Sequence, residues 1–340
     1  MNEMQPPSCR KILIIRFSSI GDIVLTTPII RSLKTQLPNA EVHFLVKKSN
    51  AILLESNPYV DKVHVFQENV CQILAELKEE RFDYIVDLQN NRRSHYIIAK
   101  LRCPHKSFPK YNVWKAILVG AKMNFLPDVH IVDRYFEAAK SLGVHNDGKG
   151  LDFFIPEGEK FDIGDFPAQF ENGYVAVAVG AKHATKRIPP EKIVEIGNLV
   201  YKPLVLLGDK SDLAGAEKIV EQLNDKALNA CGLYSINTTA SIIAQSDCVL
   251  TSDTGIMHIA AALHKPIASL WGNTVPELGM YPYIAPGAPL SRTFEVPYLN
   301  CRPCSKLGFD KCPRRNFKCM NLISSYEVAD WINGLDVGID

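Results

Sequence analysis

The chain has no excess of either charge. Its 38 Lys plus Arg stand against 37 Asp plus Glu, a net charge of +1 over 340 residues. No global field therefore draws it to nucleic acid, and an anionic partner has to be met by a local basic patch. No apolar run approaches the roughly 18 residues of a membrane span. The first apolar run, Ile12–Ile15, ends at Arg16 and is too short for the core of an export signal. Tandem repeats and low-complexity tracts are missing. At 46% hydrophobic and 22% charged, the composition excludes disordered, collagen-like and small disulfide-scaffold classes. Three motifs are absent as well: the G-x-G-x-x-G of dinucleotide sites, the G-x-x-x-x-G-K-[ST] of P-loops, and the Asp-x-Asp pair of metal-dependent nucleotide-sugar enzymes. A nicotinamide enzyme, a P-loop NTPase and a divalent-cation site lose their main support. Nine cysteines without an export signal point to a reducing, cytoplasmic setting with mostly free thiols.

What is present is an alternation of short β-rich runs and helical patterns, the mark of βαβ units on a parallel sheet. Strands are expected at Lys11–Phe17, Glu41–Val46, Lys62–Phe66 and Asp83–Leu88, with helices near Asp22–Gln36, Val70–Glu80, Ser94–Leu101 and Ile131–Ser141. Residues 146–173 collect glycine, proline, Asn and Asp, and read as a linker. The alternation then restarts. Strands are expected at Tyr174–Val179, Pro203–Leu207, Asp247–Thr251 and Pro266–Trp271, and helices at Pro190–Val200, Asp212–Leu223, Ser235–Gln245 and Gly255–Leu263. Roughly 150 residues per domain predicts two domains, 1–155 and 156–325. A closing helix within 326–340 is expected to pack back onto the first. Two such α/β halves imply doubly wound domains facing across a cleft, with ligands beyond the carboxyl ends of the strands.

The first strand runs into Arg16-Phe17-Ser18-Ser19-Ile20-Gly21-Asp22, with Pro28 in the helix that follows. Small polar residues and a glycine at a strand-to-helix turn let a ligand approach the backbone. Asp22 fits two roles there. It can be an acid of the first helical turn, favoured by the helix dipole, or a general base aimed into the cleft. The dipole makes it a weak base, tolerable where proton transfer comes late.

In the second half, Asp247–Thr251 leads into Ser252-Asp253-Thr254-Gly255-Ile256-Met257-His258. Thr254 and Gly255 put free backbone N–H groups at the positive end of a helix, a natural seat for a diphosphate. Asp253 can simply cap that helix, and His258 can simply be a semi-buried helix histidine. Alternatively, both face the ligand. The turn from Val179 to Pro189 carries Lys182, Lys186 and Arg187 beside Gly180 and suits a phosphate, although charged loops are common. A lysine can neutralise a leaving diphosphate as a point charge.

Cys301, Cys304, Cys312 and Cys319 form C-x2-C-x7-C-x6-C among Lys306, Lys311, Arg314, Arg315 and Lys318. A structural zinc usually takes two short Cys pairs and only one is present, so free or loosely paired thiols fit the spacing better. The basic residues suit an anionic acceptor or a membrane surface.

Three of these stretches together resemble glycosyltransferase family 9, the ADP-heptose:lipopolysaccharide heptosyltransferases: Arg16–Asp22 with Pro28, Lys186-x-x-Pro189, and Ser252-Asp253-Thr254-Gly255-x-x-His258-x-x-Ala261. The segment with Cys301-x-Pro303-Cys304 and Cys312-Pro313 is similar to ones seen there. The resemblance spans about residues 11–323. It implies a GT-B type fold of two Rossmann-like domains, with acceptor on the first and nucleotide-sugar on the second, and an inverting, metal-independent transfer with no cofactor beyond the co-substrate, ADP-heptose. On this reading Asp22 is the general base. Lys186, Ser252, Thr254 and Gly255 hold the donor diphosphate, Asp253 and His258 approach the donor sugar, and Asp212 stands near the ribose. Ser18, Ser19 and Gly21 meet the acceptor. Arg92, in the turn Asn90-Asn91-Arg92-Arg93 after the strand Asp83–Leu88, is a further acceptor-side candidate or simply part of an exposed basic loop. The partners implied are a nucleotide-sugar and an anionic glycolipid, with peripheral contact to the inner membrane surface and no nucleic acid. Two other readings remain open: a transferase or epimerase using another nucleotide-sugar, and a non-catalytic nucleotide- or glycan-binding homologue.

Overall fold

The apolar runs become buried parallel strands, because a strand covered by helices on both faces needs apolar residues at every position. Ile12 to Ile15 have no exposed surface, and Val175–Ala178 and Leu204–Leu207 are buried throughout. The computed structural model describes residues 11–335. The described residues divide into two units, residues 11–110 with 129–154 and residues 111–128 with 155–335.

The first unit holds β1 (Lys11–Ile15), β2 (Glu41–Lys47), β3 (Lys62–Phe66), β4 (Tyr84–Asp87) and β5 (His105–Ser107) in the order β3-β2-β1-β4-β5. All pairings are parallel. Its helices are α1 (Ile20–Val24), α2 (Thr27–Gln36), α3 (Leu74–Glu79) and α4 (Arg92–Leu101). An excursion carrying α5 (Asn112–Ala121) belongs to the second unit, and α6 (Ile131–Phe136) returns to the first. The single helix expected from Asp22 to Gln36 is two helices. Proline has no N–H to donate and its ring clashes with the preceding turn, so Pro28 sits in the first turn of a new helix.

The second unit holds β6 (Val175–Ala178), β7 (Leu204–Leu207), β8 (Ala227–Asn229), β9 (Cys248–Ser252), β10 (Ile267–Trp271) and β11 (Ser291–Glu295) in the order β11-β10-β9-β6-β7-β8, again all parallel. Each sheet has the doubly wound order in which the winding reverses beside its first strand. Around the second sheet lie α7 (Pro190–Leu199), α8 (Leu213–Leu223), α9 (Ile236–Gln245), α10 (Gly255–Ala262), α11 (Lys318–Asn321) and α12 (Ser325–Gly334).

The chain changes unit after residue 154, and residues 111–128 cross over earlier. Leu118 of α5 accounts for this by packing on Val275 and Leu278 of the second unit. The closing helix is a correction. It does not return to the first unit: Val328, Ala329 and Ile332 of α12 join the second core with Ile193 and Ile196 of α7. Residues 336–340 of that expected segment lie outside the described residues.

Candidate functional site

Each sheet reverses its winding at one place, and that is where the sequence motifs fall. In the first unit the reversal lies between β1 and β4. The turns after these two strands are tied together: Phe17 N–H donates to Gln89 Oε1 at 2.8 Å, and Arg16 Nη1 donates to the Leu88 carbonyl at 2.5 Å. Asp22 lies in the first turn of α1. Its Oδ2 accepts from the Ser19 N–H at 3.0 Å and the Ser19 hydroxyl at 2.8 Å. Its Oδ1 lies 2.5 Å from Arg16 Nη2. One oxygen thus serves the helix start, as the capping reading expects, while the side chain keeps 20% of its surface open.

Burial pushes the Asp22 carboxyl up, but the Arg16 guanidinium and the two Ser19 donors outweigh it and hold the group below its usual range. Asp22 is thus an ionised, weakly basic carboxylate. Arg16 is wedged between it and the buried ring of Tyr135, with its guanidinium carbon 5.9 Å from the ring centre.

Of the residues expected to meet an acceptor, Ser18, Ser19 and Gly21 share the Asp22 turn, and the Ser18 carbonyl accepts from Arg16 Nε at 3.2 Å. Arg92 opens α4 and is exposed. Its turn is held by Asp87, which is fully buried and accepts from the N–H groups of Gln89 and Asn90 and the hydroxyls of Ser94 and Ser107. His95 lies on the same turn, its Nε2 3.0 Å from Asn90 Oδ1.

In the second unit the reversal lies between β6 and β9. Lys186 follows β6 and Asp253 follows β9, and Lys186 Nζ meets Asp253 Oδ2 at 2.6 Å. The side chains are 18% and 11% exposed. Thr185 sets the lysine turn by accepting and donating backbone hydrogen bonds with Phe309 of the cysteine-rich segment. Thr254 is the N-cap of α10 and Gly255 its first residue, with no side-chain cap on the first-turn amides. Those N–H groups point out of the helix, beside the lysine–aspartate pair.

Ser252 is buried, and its hydroxyl has no hydrogen-bond partner among the described residues. His258 lies one turn into α10 and is 2% exposed, so the structure places it among the buried helix histidines. Asp212 is also buried, and accepts the Asp209 N–H at 3.0 Å while Arg187 Nη1 stands 3.2 Å from its other oxygen. A Cβ on Gly180 would come within 2.1 Å of that carboxylate, so any side chain there would displace Asp212. The Asp212 side chain lies against both Gly180 and Gly208, the glycines that follow β6 and β7.

Two residues of this site escaped the sequence reading. Thr274 donates its hydroxyl to Asp253 at 2.9 Å, and the neighbouring Asn273 is 1% exposed with an amide that has no partner among the described residues. Both follow β10, which pairs with β9. Their signal was positional: Gly272-Asn273-Thr274 sits at a strand's carboxyl end.

The cysteine-rich segment closes on itself. Burial pushes the Cys304 and Cys319 thiols up; Cys301 and Cys312 raise both further, and Cys304 also raises Cys319. All eight described cysteines are free. Among the described residues, one group has side chains arranged to hold a metal ion: His43, His64 and Glu80. It lies at the amino ends of β2 and β3, away from both motif sites, and Lys11 and Lys62 already occupy Glu80 at 2.7 and 2.6 Å.

Residues 70–306 match the family model of glycosyltransferase family 9 (heptosyltransferase). The chain is 26% identical over 293 residues to lipopolysaccharide heptosyltransferase 2 of Salmonella typhimurium, covering 78% of this chain and 84% of that one. Among solved structures it is similar to the glycosyl transferase family 9 protein of Veillonella parvula, with a TM-score of 0.75, 22% identity and 99% of each chain covered. It also resembles the ADP-heptose lps heptosyltransferase II of E. coli, with a TM-score of 0.68, 21% identity, and 96% and 100% covered.

Proposed function

The chain belongs to glycosyltransferase family 9, and on that premise we propose that it transfers heptose from ADP-heptose to a hydroxyl of a lipopolysaccharide-core glycan, by inversion and without a metal ion. The relatives named for lipopolysaccharide and ADP-heptose support the substrate class. The observation that carries the mechanism is the ionised Asp22, held by Arg16 and Ser19 at the carboxyl end of β1.

The first unit binds the acceptor through the Ser18–Asp22 turn and Arg92. The second binds the donor. As the anomeric carbon–oxygen bond breaks, negative charge grows on the diphosphate. Lys186 and the first-turn amides of α10 stabilise it as preorganised donors. The acceptor oxygen forms its bond to the anomeric carbon from the opposite face, and its proton passes to Asp22. A weak base suffices because the hydroxyl has become acidic by then. Ser252, Thr254 and Gly255 seat the diphosphate. Asp253 and Asn273 face the sugar, with His258 supporting the helix start. Asp212 acts on the ribose side through Arg187.

The test is incubation with ADP-heptose and a heptose-deficient glycolipid acceptor, read by mass spectrometry of the product and by ADP release in the presence and absence of EDTA. The proposal expects a product heavier by one heptose and an EDTA-insensitive rate. A UDP- or GDP-sugar used in preference to ADP-heptose, or loss of activity on chelation, would overturn it.

A further inference from the structure

The excursion that carries α5 is apolar and little covered. Its sequence, NVWKAILVGA, is largely apolar, yet Leu118 is its one fully buried residue. Val113 is 68% exposed and Trp114 43%, and just beyond the helix Met123 is 53% and Phe125 51% exposed. The rings of Trp114 and Phe125 lie 5.7 Å apart and form one aromatic pair, with Val113 and Met123 close to them in the chain. A contiguous exposed apolar patch marks a protein or membrane contact, and the charges around it decide which.

The chain between Asp87 and Asp128 contains eight Lys and Arg and no Asp or Glu. The segment 301–319 adds six against the single acid Asp310. Within the second unit the two elements are neighbours: Lys122, which ends α5, donates from Nζ to the Pro303 carbonyl at 2.5 Å. Around that joint, Lys306, Lys311, Arg314, Arg315 and Lys318 are exposed. So are two further apolar side chains of the loop, Leu307 at 60% and Phe309 at 40%.

From this we infer that α5 and the cysteine-rich loop form a membrane-docking face, which sets Trp114 and Phe125 into the headgroup region of an anionic bilayer while the loop's lysines and arginines hold the lipid phosphates. Aromatic and aliphatic residues on one side with Lys and Arg beside them suit an interfacial element. The cations add attraction that only an anionic surface supplies. A protein groove lined by apolar residues would leave five exposed cations without counter-charges. No described helix is long and apolar enough to span a membrane, so the contact lies on the surface.

The inference stands apart from the transfer reaction because its readout is binding. The full chain is floated with phosphatidylcholine vesicles with and without phosphatidylglycerol. The expected result is flotation with the anionic vesicles alone, lost at high salt, with a blue shift of tryptophan fluorescence that is absent in Trp114→Phe. Trp114→Ser with Phe125→Ser should weaken vesicle binding by roughly tenfold or more while leaving the thermal midpoint unchanged, since both side chains are exposed. Lys311→Ser with Arg314→Ser and Arg315→Ser should weaken it independently. Either of two results overturns the inference: a wild-type chain that stays soluble with anionic vesicles, or a Trp114/Phe125 double variant that binds them as tightly as the wild type.

Discussion

Lys186 Nζ and Asp253 Oδ2 stand 2.6 Å apart across the winding reversal of the second sheet, although 67 residues separate them in the chain. The contact has a consequence for donor binding. On the proposed function, a diphosphate arriving at the α10 start competes with Asp253 for the ammonium, while Thr274 keeps its hydrogen bond to the carboxylate. Lys186→Ala should therefore weaken ADP binding by about 1.5–3 kcal/mol, roughly ten- to a hundredfold. Asp253→Asn should bind ADP at least as tightly as the wild type. Isothermal titration calorimetry on both variants checks this, and a Lys186→Ala protein with unchanged affinity would show that the lysine does not reach the phosphates.

Asp22 and the donor turn belong to different units, so their contributions should separate. Asp22→Asn keeps the side-chain volume and an acceptor oxygen for Ser19 but cannot take a proton. Transfer should fall by ~10²–10⁴-fold, with ADP affinity unchanged in the calorimeter. Loss of ADP binding in this variant would contradict the division of labour between the units.

The sheets were legible in the sequence because buried parallel strands are apolar at consecutive positions, as in Ile12–Ile15 and Leu204–Leu207. β5, β8 and β11 were not, and the three-residue β8 (Ala227–Asn229) is too short to show a run. His105–Ser107 and Ser291–Glu295 are mostly exposed edge strands with polar side chains, so no apolar run announces them. α5 escaped for the opposite reason: it is apolar without being covered, and the period of a buried face is missing. The turns that carry the candidate site residues were legible because strand ends locate them. What those residues touch was not readable. Arg16 on Asp22 is a short-range contact that depends on the turn geometry, and Lys186 on Asp253 depends on two strands meeting.

Arg31 of α2 holds the start of the inter-unit segment. Its guanidinium, 5% exposed, pairs with Asp147 at 2.7 Å and with Asp152, and donates to the Gly150 carbonyl at 2.9 Å. Burial works against the charge, but the two carboxylates keep it in place. Arg31→Met retains the stem and removes the charge, which leaves two partly buried carboxylates facing each other. The expected cost is about 3 kcal/mol, read as a lower midpoint in urea. An Arg31→Met protein within experimental error of the wild type would show that solvent replaces the pair.

The buried histidines predict a pH dependence of stability with a definite sign. His43 Nδ1 and His64 Nε2 are 2.9 Å apart, and His64 Nδ1 meets Glu76 at 2.5 Å. Around them stand Glu80 at 4.0 Å and Glu41 at 3.6 Å from His43, Lys11 and Lys62 on Glu80, and Phe82 edge-on to both rings. Burial lowers both imidazoles from 6.5, for His43 helped by His64 and for His64 opposed by Glu76. The unfolded chain then binds more protons than the folded one, so stability falls as pH drops below 6.5 and levels off once the folded values are passed. Glu80, lowered to about 2 by its hydrogen bonds from Lys11 and Lys62, adds a separate loss below 4.5. Thermal midpoints followed from about pH 8 to pH 5 isolate the histidine part. His43→Asn with His64→Gln should flatten that stretch of the curve, and an unchanged slope would assign it elsewhere.

The last prediction uses Arg16 to expose the state of Asp22. In the wild type the carboxylate is ionised well into acid, so Asp22 contributes no limb to the pH profile of kcat/KM near neutrality. Burial is the largest influence on this group and it acts upward; Arg16 and Ser19 reverse it. Removing the guanidinium in Arg16→Met leaves burial opposed by Ser19 alone, so the carboxyl should titrate at higher pH. The acid limb of kcat/KM should move up with it, because transfer needs the deprotonated form. Arg16→Lys keeps a cation near Asp22 and should move the limb less, although it loses the planar fork that also reaches the Ser18 and Leu88 carbonyls. Both variants lose structural hydrogen bonds and a lower thermal midpoint is expected in each, so the discriminating quantity is the position of the limb rather than the rate. Identical limbs in wild type, Arg16→Met and Arg16→Lys would mean that the proton is taken by another group.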